Sequence, residues 1–318
     1  MIKKNSLLFI LLFLNIFNCF AQEDSLLKHQ AQNDSFYKKK QRLKTVAAIN
    51  IGLYAGSMAT LYQTWYKNFP QSNFHTFNDI TEWKQMDKTG HMYSAYTMSK
   101  YASEIWKSTD IDRKKRIWIS GLAGITYLTV IEVLDGFSSQ WGWSWGDIGA
   151  NVVGSTLFIS QELAWNQQKL HFKTSFHKKN YHDASLVIRS NDLFGNSLAE
   201  RSLKDYNGQT YWISADLKSF FSKSNIPDYF QISLGMGAEG MFGANENFSK
   251  DQNGNIVFNR PDIKRYRQWY LAPDINLSKI KTKHKSIKTA LFILNALKFP
   301  TPAIEYSNSS LHWKWMYF

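Results

Sequence analysis

Ionisable and amide side chains recur at one-turn helical spacing through the first half of this chain. Asp87 and His91 are four residues apart, Glu132 and Asp135 three, Asp147 and Asn151 four, and His75 and Asp79 form a fourth such pair upstream. A helix places residues at these spacings on one face. The surrounding sequence is apolar or aromatic, as in Met92-Tyr93-Ser94-Ala95-Tyr96 and Tyr127-Leu128-Thr129-Val130-Ile131. A carboxylate buried in such a setting is costly unless a cation or hydrogen-bond donor meets it. Histidine with carboxylates can hold a divalent ion or act as a general acid and base. The candidates for either role, catalytic or metal-ligating, are His91, Glu132, Asp135 and Asp147, with Asp87, Lys88, Tyr96 and Asn151 as the supporting polar network. A divalent metal is the expected cofactor on this reading.

The same residues admit a purely structural account. Ser144 and Asp147 have the spacing of a capping box, Glu132 can pair with Lys88, Asn151 can link two helices, and His91 can be a satisfied core histidine. Diagnostic motifs are absent: there is no His-Glu-x-x-His, phosphate loop, nucleophile elbow or dinucleotide fingerprint. Asp251-Gln252-Asn253-Gly254-Asn255 imitates the start of a calcium loop, but Ile256 occupies the position where that loop needs glycine.

The elements that must position these residues follow from hydropathy and turn signals. Lys3 and Lys4, an uncharged run from Leu7 to Phe17 and the exit Cys19-Phe20-Ala21 read as a signal peptide over residues 1–21. Bulky Phe17 and amidic Asn18 do not suit a lipid-acceptor site at Cys19, so ordinary cleavage after Ala21 is expected; it would leave a mature chain without disulfides or thiolate chemistry. Residues 22–44 read as a polar tether with at most a short helix. Thr45–Tyr62 is uncharged and carries a small-residue stripe at Ala48, Gly52, Gly56 and Thr60, of the kind that lets helices approach closely. Three more helices are predicted at about 80–106, 114–135 and 145–165. Beyond Lys169, strands are predicted at 184–190, 210–218, 229–237, 266–277, 302–307 and 311–318, and a helix at 287–297. Asn207-Gly208 and Asn253-Gly254 are hairpin-type turn signals. The fold class is therefore α+β, with an N-terminal apolar bundle of about four helices (45–168) followed by a β-rich antiparallel region (169–318). Six irregularly spaced strands favour an open sheet packed on the helices over a closed barrel.

Tyr62-Gln63-Thr64-Trp65-Tyr66, Phe74-His75-Thr76-Phe77-Asn78-Asp79, Trp83-Lys84-Gln85-Met86-Asp87-Lys88-Thr89-Gly90-His91 and Glu132-Val133-Leu134-Asp135-Gly136-Phe137-Ser138 carry a resemblance. This sequence resembles the predicted periplasmic lipoprotein family catalogued as domain of unknown function 2279. The resemblance covers about 45–170 and continues through Asp205-Tyr206-Asn207-Gly208-Gln209-Thr210-Tyr211-Trp212. It implies a periplasmic setting and assigns no biochemistry. Asp87-Lys88 with His91 and Tyr96, then Glu132, Asp147, Asn151 and Gly154, is also similar to the VanZ-like pattern of small membrane proteins linked to glycopeptide resistance. That pattern usually has a glutamine near Asp135 and an arginine before the Asp147 helix, where this chain has Asp135 and Trp141-Gly142-Trp143.

The formal charge of +13 suits anionic lipid headgroups or acidic glycans. Basic runs at Lys38-Lys39-Lys40, Arg113-Lys114-Lys115-Arg116 and Lys178-Lys179 flank apolar segments, as interfacial anchors do and as solvated connecting charge equally does. An exported protein rarely meets nucleic acid, so the expected partner is membrane lipid or another envelope component. The expected location is the periplasm, on the inner or outer membrane. Two functions follow: a membrane-associated structural or binding protein, with Trp212, Tyr229, Trp269, Trp313 and Trp315 as contact residues, or a metal-dependent or acid–base enzyme acting on envelope lipid or glycan.

Overall fold

Apolar residues recurring at helical spacing fold into four joined helices. The computed structural model describes residues 35–63, 70–251 and 253–318 and places them at α1 (Ser35–Leu61), α2 (Met86–Lys107), α3 (Arg113–Gly136) and α4 (Trp145–Trp165). The expected signal peptide, Cys19 and tether residues 22–34 lie outside the described residues, and α1 begins within the rest of the expected tether. Short polar caps set the starts of two helices: the Asp112 carboxylate accepts from the Lys115 amide and the Ser144 hydroxyl from the Asp147 amide.

Small residues bring α2, α3 and α4 together, though not the ones expected. Among the described residues, a Cβ built at Gly52 would meet no atom within 4 Å, so the stripe on α1 makes no close helix contact there. The close approaches are at Gly124, where a Cβ would fall 2.6 Å from the Ala95 carbonyl, and at Gly154, where it would fall 2.1 Å from that of Met92. Ser99 and Ser155 share a hydrogen bond at 3.2 Å between the same helices. α1 is held more loosely, by Arg42 donating to the Ser108 carbonyl and by an edge contact between Tyr54 and Tyr127.

Strands β1 (Leu170–Phe176), β2 (Gln209–Asp216), β3 (Phe230–Glu239), β6 (Tyr266–Ile275), β7 (Thr301–Ser307) and β8 (Ser310–Tyr317) form an antiparallel sheet in the order β1-β2-β3-β6-β7-β8. A separate hairpin pairs β4 (Phe248–Lys250) with β5 (Ile256–Asn259), and its turn uses Gly254 at φ +84°, as Asn253-Gly254 predicted. α7 is a single turn, Leu217–Phe220, and α8 (Lys285–Leu294) is the helix expected near 287–297.

Two segments fold otherwise than their sequence predicts. The segment expected as a strand at 184–190 is helix α5 (Ala184–Phe194), started by Asp183 accepting from the Ser185 amide and followed by α6 (Leu198–Lys204). Its β-branched Val187 and Ile188 look like a strand, but Ser190 and Phe194, four apart, are the buried positions. Asn207-Gly208 does not turn a hairpin. Asn207 is buried and its amide clasps the backbone of Met241, donating to the carbonyl and accepting from the N–H.

The helices and the sheet share one core, built from Met86, Tyr96, Ile117, Phe158, Phe172 and Tyr211. The sheet's other side has a smaller core of Trp212, Tyr270, Ala272, Ala303 and Tyr317, with Tyr270 and Tyr317 stacked at 4.3 Å. Around it lies a dense polar network. Lys173 Nζ donates to Gln231, to Asp274 and to the Ile275 carbonyl, and Ser214 donates to Asp274. Asp216 accepts from Gln231 and Asn276 and lies 3.1 Å from His171 Nε2. Nearly every polar partner is in place, which marks this network as structural.

Candidate functional site

The start of α2, the end of α3 and the start of α4 meet at one end of the bundle, and their polar residues meet with them. Lys88, buried, is the hub: its ammonium lies 2.6 Å from Asp79, 3.0 Å from Asp87 and 2.8 Å from Asp147. Ser144 ties the group to the backbone, donating to Asp79 Oδ1 at 2.6 Å while capping α4. The capping box expected at Ser144 is only half made by Asp147. The Ser144 amide goes instead to Glu132 Oε2, at 3.2 Å. Glu132 does not pair with Lys88 as the structural account expected; the lysine is taken by the three aspartates.

His91 stands beside this hub. Its Nδ1 is 3.1 Å from Asn151 Oδ1, an acceptor, so Nδ1 carries a proton and Nε2 is left for other work. Nε2 points among three carboxylates, 3.9 Å from Asp87 Oδ1, 3.7 Å from Glu132 Oε1 and 3.6 Å from Asp147 Oδ1. These separations are too long for hydrogen bonds and nearly equal. Glu132 Oε1 and Asp147 Oδ1 are buried without a hydrogen-bond partner, the latter despite its ion pair with Lys88. The Glu132 side chain is 1 % exposed, whereas His91 and Asp87 are 17 % and 25 % exposed and form the route in.

The electrostatics follow from crowding. Burial opposes ionisation of Asp87, but His91, Lys88 and a 2.7 Å hydrogen bond from the Tyr206 hydroxyl outweigh it and hold the carboxyl below its ordinary range. Burial also opposes charge on His91, yet Asp87, Asp147 and Glu132 together raise its proton affinity. Glu132 is pushed up to about 8, by burial first, with His91 opposing and Asp147 and Asp135 adding repulsion. Asp147 is raised by burial and by Asp87.

Of the residues singled out from sequence, His91, Glu132, Asp147, Asp87, Lys88 and Asn151 converge. Asp135, one turn beyond Glu132, acts on it through charge. Tyr96 sits in the core with its hydroxyl on the Leu170 carbonyl, apart from the cluster. His75 and Asp79 lie in an extended segment and not on a helix face; Asp79 nonetheless joins the hub while His75 turns to Ser72 and Asn73. Ser144 and Tyr206 belong to the site in ways that spacing does not reveal. Tyr206 comes from the far half of the chain, 119 residues from its partner Asp87.

The backbone entering the site is unusual. Trp83, Lys84 and Gln85 take left-handed φ values of 48°, 51° and 57° just before α2. Each costs such a residue roughly 1 kcal/mol. Trp83 holds the turn by packing on Tyr206 and Phe194, and its amide donates to the Ala244 carbonyl.

A family model described as "Predicted periplasmic lipoprotein (DUF2279)" matches residues 75–161. The match takes in Asp79, Asp87, Lys88, His91, Glu132, Ser144, Asp147 and Asn151, and stops before the sheet and Tyr206. It is narrower than the resemblance drawn from the sequence, and the VanZ-like pattern finds no support in it. No curated protein and no solved structure matches the chain.

Proposed function

We propose that this is an exported, membrane-associated binding protein of the cell envelope whose bundle end is a centre for a divalent cation. The observation that carries the reading is the arrangement around His91 Nε2, a ring nitrogen aimed between carboxylate oxygens that do not otherwise satisfy it or one another. One ligand atom from each of Asp87, His91 and Asp147 lies within 4.8 Å of the others, and the partnerless Glu132 Oε1 stands beside them, 3.7 Å from His91 Nε2. One imidazole with carboxylates suits zinc, manganese or iron better than calcium. Asn151 supplies the outer contact that metal-bound histidines usually have, fixing the ring and its tautomer. Lys88 neutralises Asp79 and part of Asp87 and Asp147, leaving a site of moderate negative charge.

Titration calorimetry with Mn²⁺ and Zn²⁺ tests this on the full chain. Binding of one ion, with protons released because His91 and Glu132 must give theirs up, is expected. His91→Gln and Asp147→Asn should each weaken it by 10-fold to 100-fold or more. No binding, or binding indifferent to both substitutions, contradicts the reading.

Acid–base chemistry on an envelope lipid or glycan is the second reading, favoured by Glu132 holding its proton up to about 8 beside the accessible His91. It predicts turnover of an envelope-lipid extract with a pH limb near 8 that Glu132→Gln abolishes. Metal-independent turnover would favour it over the cation centre.

A further inference from the structure

The sheet is inside out relative to one that faces water. One side carries the buried, paired Lys173, Asp274, Asp216 and Gln231, and the opposite side is apolar. Ile213, Leu234, Leu271, Ile304 and Trp313 stand opposite one another in register across five strands. A parallel row runs Tyr211, Met236, Trp269, Tyr306, Leu311. Both rows begin beneath α2, where Tyr211 is buried against Tyr93, and then emerge uncovered: Leu234 is 65 %, Leu311 72 % and Trp313 54 % exposed. An apolar surface of this size needs an occupant.

Charge identifies it. The chain leaves the face at the end of β6, beside the Ile232–Pro273 pair, and enters a stretch with lysines at 279, 281, 283, 285 and 288. There is no Asp or Glu between Asp274 and Glu305. α8 continues it as a helix with no buried residue, tied to α2 by the Tyr101 hydroxyl and exposing Ile287 and Leu294. An apolar face bordered by lysines and an amphipathic helix is the pattern of a surface that enters one leaflet. The depth agrees: Ile232 to Met236 spans roughly 13 Å along β3, close to half of the roughly 30 Å hydrocarbon core.

We propose that the apolar face of the sheet and the lysine-rich segment 279–288 form a docking surface for an anionic lipid leaflet. The lysines meet headgroup phosphates, and the Leu234–Leu271–Ile304–Trp313 row enters the acyl layer. This gives a surface to the membrane association of the preceding reading and is independent of the cation.

The test is flotation of the full chain with vesicles of phosphatidylcholine, with or without phosphatidylglycerol. Flotation with the anionic vesicles is expected. The double variant Leu234→Glu, Leu271→Glu should partition about tenfold more weakly or worse, and Lys281→Glu, Lys283→Glu should lose the preference for phosphatidylglycerol. Circular dichroism of each variant verifies the fold. Should the leucine pair fail to fold, acyl-brominated lipid decides with the native protein, because Trp269, Trp313 and Trp315 must be quenched. Unquenched tryptophans, flotation unchanged in a folded leucine variant, or a lipid-free dimer that buries the face would each overturn the proposal. None of these outcomes alters cation binding, so the two readings fail separately.

Discussion

Lys88 is the residue on which the polar centre depends most, because three aspartates converge on its ammonium and burial leaves little water to replace it. Lys88→Met should cost about 3–5 kcal/mol, the usual consequence of stranding buried carboxylates, read as a lower urea midpoint. A loss under about 1 kcal/mol would mean that the aspartates take up protons or water at no cost. In the sheet, His171 is pushed down to about 4, by burial first, with Asp216 opposing and Lys100 and Lys173 reinforcing. A histidine whose folded value lies below its ordinary 6.5 contributes stability above that pH and loses it as pH falls towards 4. The slope of stability against pH between 6.5 and 4 should therefore flatten in His171→Gln; an unchanged slope would place the acid sensitivity elsewhere, His177 being the other depressed histidine among the described residues. At this scale the sequence was informative about residue types and weak about partners. Spacing brought His91, Glu132 and Asp147 together, but which carboxylates Lys88 takes depends on the extended segment carrying Asp79 and on a tyrosine 119 residues from its partner.

Among the elements, the helices were the most legible because long uncharged runs with one-turn periodicity have few alternative structures. By length and composition α3 is apolar enough to cross a membrane, and a third of its apolar window is buried inside the protein. The fit of α2, α3 and α4 to one another depends on glycines that the small-residue stripe on α1 did not point to. Gly154→Ala would press a methyl against the Met92 carbonyl, a backbone atom that cannot swing away, and should cost about 1–3 kcal/mol or more. Gly52→Ala on α1, where no neighbour among the described residues lies within 4 Å, should be neutral or slightly stabilising in the same denaturation assay. Equal effects at the two sites would contradict the packing described. The strands were harder to read. β2, β3, β6, β7 and β8 were found by alternation, but β1 was not, since Leu170-His171-Phe172-Lys173-Thr174-Ser175-Phe176 places buried charge where an outward face is expected. The same inversion explains Trp212, read as a contact residue yet fully buried, with its indole N–H on Ser175.

For the whole molecule, the boundary near residue 169 is a change of secondary structure and not of core. Met86, Tyr96 and Phe158 from the helices pack with Phe172 and Tyr211 from the sheet, and Asp87 takes the Tyr206 hydroxyl across the same junction. One cooperative transition is therefore expected, with helix ellipticity and tryptophan fluorescence melting together; two resolved transitions would separate the halves. The α+β order was legible from sequence, while the placement of the sheet's apolar side was not, because an alternating strand reads the same whichever face is outward. The central claim concerns the bundle end. Pulsed electron paramagnetic resonance of Mn²⁺ bound to the full chain tests it most directly. The account predicts a nitrogen coupling from a directly bound imidazole that disappears in His91→Gln. An all-oxygen, solvent-like spectrum, or a nitrogen signal that survives the substitution, would contradict it.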